Sequence, residues 1–120
     1  MQARSFRESL SYAFSGIRYT WKTQRNFRLH TLTGVAIISI SFILKLSFVE
    51  LLFIGSAIFS VLVMELINTA LETAVDLVTK EFHPLAFIAK NVGAAAVLLA
   101  ALYALLVGLV IFGRRIVNFF

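Results

Sequence analysis

With 60% hydrophobic and only 14% charged residues, this 120-residue chain is too apolar for a soluble domain of its size, and its runs of apolar residues predict a single integral membrane domain. It has no cysteine, which excludes disulfides and thiolate-held metals. The net charge of +5 gathers before the first apolar run with no nucleic-acid motif beside it, so a membrane surface is the expected partner rather than nucleic acid.

The predicted fold is all-α: an N-terminal amphipathic surface helix over about residues 5–28, then transmembrane helices over about 31–48, 50–79 and 86–112. In the surface helix Phe6, Leu10, Phe14, Ile17 and Trp21 recur at helical spacing, while Arg4, Arg7, Arg18 and Lys22 lie mostly elsewhere. That pattern suits a helix in the interface, with Tyr19 and Trp21 at headgroup depth. A polar knot from Lys22 to His30 follows, whose Arg25 and Arg28 are expected to meet lipid phosphates; His30 alone is weak evidence for a ligand. The first apolar run starts late and lacks a small-residue cleavage site, so no cleaved leader is expected.

The first span is short unless Lys45 snorkels and the helix continues to Phe48. The second runs from near Val49 through residues 65–76, Glu-Leu-Ile-Asn-Thr-Ala-Leu-Glu-Thr-Ala-Val-Asp. Here Glu65, Asn68, Glu72 and Asp76 fall on one helical stripe, because steps of three and four residues return to the same face. An acid at mid-bilayer costs about 2.5–3.5 kcal/mol on the insertion scale, so such a stripe is expected to work. Helix-to-helix glue is the bland alternative. Carboxylates with an asparagine between them suit a hard divalent cation and a general base. Pro84 suits the start of the third span, which carries Lys90 and Asn91 near its entrance and then a small run, residues 93–96, that permits close helix approach.

The basic residues before the first span predict a cytoplasmic N-terminus and an external C-terminus, although Arg114 and Arg115 argue against the latter. The end of the second span and Lys90 then face the compartment that holds ATP. No P-loop or nucleophile elbow is present. Phosphoryl transfer needs only neutralised phosphates, an oriented nucleophile and in-line positioning. Glu72 suits Mg²⁺, Glu65 suits proton abstraction from a lipid hydroxyl, and Lys90 suits phosphate oxygens.

The stripe at 65–76, with Ala-Lys-Asn-Val-Gly-Ala-Ala-Ala-Val at 89–97, resembles the prokaryotic integral-membrane diacylglycerol kinase and undecaprenol kinase family. Gly16, Arg18, Trp21, Phe27 and Arg28 also fall where that family has such residues, and the resemblance covers nearly the whole chain. It implies a homotrimer in the bacterial plasma membrane, with composite sites between subunits at the cytoplasmic interface. It implies ATP-dependent phosphorylation of a membrane lipid alcohol, with Mg²⁺ as cofactor. Carried over position by position, Glu65 resembles the catalytic base, and Asn68 the residue that orients substrate and phosphate. Glu72 resembles a Mg²⁺ ligand and Lys90 the phosphate-binding lysine. Tyr12 falls where a nucleotide-facing aromatic sits, and Asp76 matches an acidic position on the nucleotide side.

Two positions depart from the family pattern. Many members have Glu as a second metal ligand where this chain has Gln24, and Asp after the lysine where it has Asn91. Metal affinity and turnover are expected to weaken, while the fold stands. The stretches at 26–30 and 79–85 look more like the undecaprenol branch than the diacylglycerol branch. A catalytically silent binder of lipid or nucleotide is the alternative that Gln24 and Asn91 suggest. A small proton-coupled exporter is the alternative that intramembrane carboxylates suggest.

Overall fold

The computed structural model describes residues 5–120. Four helices follow in chain order: α1 Phe6–Thr23, α2 Arg25–Ile43, α3 Phe48–Val78 and α4 Pro84–Phe119. The last three are long and apolar enough to cross a membrane. Helix α3 is central and packs against each of the others. The molecule measures 56 × 39 × 20 Å, so it is a thin slab that has no room for a thick core.

Ser5 starts α1, its hydroxyl accepting from the Glu8 N–H at 3.2 Å. The helix stops at Thr23, earlier than the surface helix expected to about residue 28. Gln24 is extended, its N–H still bonded to Thr20 O, and α2 begins at once with Arg25. Arg28 explains how so sharp a break is held. Its guanidinium donates to Trp21 O at 2.6 Å and Lys22 O at 3.3 Å, supplying donors to the carbonyl end of α1. Arg28, expected to meet lipid phosphates, also caps the preceding helix through one guanidinium nitrogen.

Helix α2 ends at Ile43, with Leu44 as its C-cap, and does not run on to Phe48. Lys45 N–H bonds Phe42 O, Leu46 N–H bonds Ser41 O, and Lys45 has φ 55°, which together make a Schellman termination with a lysine where glycine is usual. Leu46 is buried behind it. Ser47 and Glu50 then form a reciprocal capping box that starts α3. Arg115, near the far end of α4, bonds Glu50 Oε1 at 3.0 Å and Lys45 O at 3.2 Å, pinning this turn. Arg114 and Arg115 are good helix formers and no breaker precedes them, so α4 continues past the apolar stretch expected to end near residue 112. At the other end, His83 Nδ1 accepts from the Leu85 N–H and Pro84 occupies the first turn of α4.

Packing between the long helices uses small residues. Gly34 of α2 abuts Ile58, and Gly93 of α4 abuts Asn68 and Leu71. Of the small run at 93–96, Gly93 alone is buried. Buried Thr20, Ser41 and Thr69 each bond the carbonyl four residues back, which satisfies their hydroxyls within their own helices. Around α4, leucines such as Leu98, Leu99, Leu102 and Leu109 stand more than half exposed.

Candidate functional site

The site is built on one face of α3, where Glu65, Asn68, Glu72 and Asp76 rise in order toward the α3–α4 turn. Helix α4 covers the middle of that face with Gly93. A Cβ there would overlap Asn68 Oδ1, so only a glycine lets the two backbones close over the asparagine. Helix α2 brings His30 to the deep end.

Glu65 is 4% exposed. Its Oε1 receives no hydrogen bond within the chain, and His30 Nε2 stands 3.5 Å away, longer than a hydrogen bond. Asn68 Nδ2 donates to Glu72 Oε1 at 3.2 Å. Asn68 Oδ1 is buried without a partner. Buried polar atoms in folded proteins are almost always paired, so two orphans a turn apart on one helix single this face out as the candidate site. One turn beyond Glu72, Asp76 Oδ1 takes Lys90 Nζ at 2.6 Å, with both side chains partly exposed.

The stripe residues thus share one face of α3 as the helical spacing implied, and Lys90 joins its Asp76 end from α4. Tyr12 and Asn91 are exposed and Gln24 is half-buried; among the described residues none of the three side chains makes a hydrogen bond to the acidic face. A groove of about 1190 Å³ lies between α1 and α3, with Gly16 and Thr20 on one wall and Thr69, Thr73, Asp76 and Lys80 on the other. His30 is the residue that sequence reasoning undervalued. It sits on a different helix from Glu65, and no spacing within one helix reports a contact between two.

Among the described residues no three His, Asp or Glu side chains converge as a ready metal cluster. The acidic face nevertheless offers carboxylate oxygen at Glu72, whose Oε1 accepts from Asn68 Nδ2. Oxygen donors of that kind suit a hard cation held jointly with phosphate oxygens and water, and not a soft metal.

Residues 11–112 match the family model described as prokaryotic diacylglycerol kinase. Over 101 residues the chain is 48% identical to a diacylglycerol kinase of Synechocystis sp., a match covering 83% of this chain and 58% of that one. Over 107 residues it is 39% identical to an undecaprenol kinase of Bacillus subtilis, covering 89% and 87%. Over 99 residues it is 28% identical to a diacylglycerol kinase of Escherichia coli K12, covering 82% and 81%.

Proposed function

The chain belongs to the prokaryotic diacylglycerol kinase family, and from that premise we propose that it transfers the γ-phosphoryl group of ATP to the hydroxyl of a membrane lipid alcohol, undecaprenol or diacylglycerol. The observation that carries the reading is the buried Glu65, whose Oε1 lacks a hydrogen-bond donor inside a helix long enough to span a membrane. A lipid hydroxyl is a donor that reaches such a depth, and a carboxylate there is placed to take its proton.

In this reading the lipid oxygen attacks the γ-phosphorus as Glu65 takes the hydroxyl proton, and the bond to the leaving ADP breaks. Asn68 Oδ1, free and buried, orients the substrate groups, while Lys90 meets phosphate oxygens. Glu72 and Gln24 would hold Mg²⁺. Bound with the nucleotide, that ion neutralises phosphate charge. Tyr12, Asp76 and Asn91 belong to the nucleotide side. Helix α1 lies in the cytoplasmic interface, with exposed Phe6, Leu10 and Phe14 toward lipid. Glu72 and Asp76 stay partly exposed on a slab 20 Å thick, which supports a homotrimer in which two further copies of the chain cover the acidic face.

The test is purified protein in lipid with Mg²⁺ and γ-labelled ATP, offered diacylglycerol or undecaprenol separately. Label in one lipid phosphate supports the reading and names the substrate. Label appearing only as inorganic phosphate, or in no product, overturns it.

A further inference from the structure

We propose that His30 is the proton exit of Glu65, an inference that rests on the kinase reading above. Each transfer leaves Glu65 holding the proton of the lipid hydroxyl, and the carboxyl must lose it before the next cycle. Water has little access, since the Glu65 side chain is 5% exposed. The groups around it narrow the route. On its own helix, the Thr69 hydroxyl is committed to Glu65 O, Asn68 is neutral, and the nearest acid is Glu72, which is bonded to Asn68. Helix α4 presents Gly93 beside Asn68, one turn on from Glu65, and its Lys90 is paired with Asp76. Helix α1 buries Thr20, which does not titrate. From α2 comes His30, with Nε2 3.5 Å from Glu65 Oε1 and a side chain 36% exposed.

One end of His30 thus stands at the buried carboxyl, and the partly exposed ring lies near the start of α2, at the end of the span that carries Arg25 and Arg28. Imidazole is the side chain that both accepts and releases a proton near neutrality. A small side-chain rotation closes the gap to hydrogen-bond length. The Glu65 O–H bond then breaks as a proton bonds to Nε2, the carboxylate is restored, and the imidazolium releases a proton to water. In this role His30 acts through Glu65, as a positioning and proton-carrying residue and not on the reacting atoms.

The experiment compares the parent with His30→Ala and His30→Gln in lipid, with Mg·ATP and whichever lipid alcohol the parent phosphorylates. Folding is checked by helical circular dichroism and particle size. Both variants are expected to lose about 10²-fold in kcat, the lower end of the range for a proton-transfer group, with KM for ATP and for lipid little changed. Added imidazole should restore His30→Ala in proportion to its concentration, and more at about pH 8 than at about pH 6, because the neutral ring is the acceptor. Glutamine keeps the hydrogen bonding but carries no proton, so His30→Gln should stay slow. If His30→Ala does not fold, the kcat of His30→Gln decides alone. Parent-level kcat in His30→Gln, or a slow His30→Ala that imidazole does not rescue, overturns the inference and leaves the kinase reading standing. A parent that phosphorylates neither lipid overturns both.

Discussion

Lys90 Nζ lies 2.6 Å from Asp76 Oδ1, so the cation that α4 brings to the acidic face is already held by that face. The pair is partly exposed, and such pairs contribute about 0.2–1 kcal/mol. Asp76 therefore steers Lys90 more than it stabilises the fold. Asp76→Asn should raise the KM for ATP by less than about 5-fold, matching that energy. If Lys90 meets phosphate as proposed, Lys90→Ala removes a charge-assisted bond worth about 1.5–3 kcal/mol, so ATP use should fall by about 10- to 100-fold. Steady-state kinetics against ATP separates the two. Equal losses would show that the ion pair itself, and not Lys90, is what the nucleotide requires.

Glu65→Gln tests the base. The amide keeps the shape of the side chain and its buried position, but it cannot take a proton at neutral pH. We expect kcat to fall by about 10²–10⁴-fold, the usual range for removing a general base. ATP affinity, measured by equilibrium binding, should hardly move. A variant with near-parent kcat would return the acidic stripe to a role in helix association.

Gly93→Ala should separate activity from stability. The new methyl would overlap Asn68 Oδ1 and approach Leu71 Cδ2 to 2.7 Å, so Asn68 must move. Alanine gains about 1 kcal/mol of helix propensity, which offsets part of an overpacking cost of about 1–3 kcal/mol. Thermal stability should change modestly, whereas displacement of a positioning group by about 1 Å can cost about 10²-fold in rate. Gly34→Ala is the control: its methyl meets Ile58 Cγ2 at 2.8 Å and no polar group. It should leave kcat close to the parent value.

How far the chain could be read without coordinates depends on where each signal lies. The row Glu65, Asn68, Glu72 and Asp76 is legible because helical spacing places its members regardless of what packs on them. The long helices are legible for the same local reason, since apolar length reports itself. Arg28 is different. Its charge suggests lipid phosphate, but the break at Gln24 leaves carbonyls of α1 within its reach. Lys45 in left-handed conformation could not be foreseen, because the Schellman turn favours glycine and only Leu46 and Arg115 hold a lysine there. The approach of His30 to Glu65 depends on how α2 crosses α3, and two apolar helices carry little register information. Gly93 was legible as a small residue, but not as the one whose missing Cβ leaves room for Asn68.

The two neutral substitutions bear on metal use. An ion bridging ATP phosphates prefers several oxygen ligands and keeps some waters. Glu72 offers one carboxylate, and its Oε1 is shared with Asn68 Nδ2. In the proposed site Gln24 would offer a carbonyl oxygen without formal charge, a weaker hold on Mg²⁺ than a glutamate's. Its position at the junction of α1 and α2 is fixed by the backbone bond to Thr20 O, so exchanging the side chain need not disturb either helix. Asn91 is exposed on α4, beside Lys90, and an aspartate there would replace amide donors with an acceptor-only group. We expect Gln24→Glu to lower the Mg²⁺ concentration for half-maximal activity, and Asn91→Asp to raise the maximal rate. Both changes act on one nucleotide, so the double variant need not be the sum of the singles. A Mg²⁺ titration of kinase activity for the parent, both singles and the double checks this. An unchanged Mg²⁺ midpoint in Gln24→Glu would place Gln24 away from the metal, and with it the α1–α2 junction away from the nucleotide.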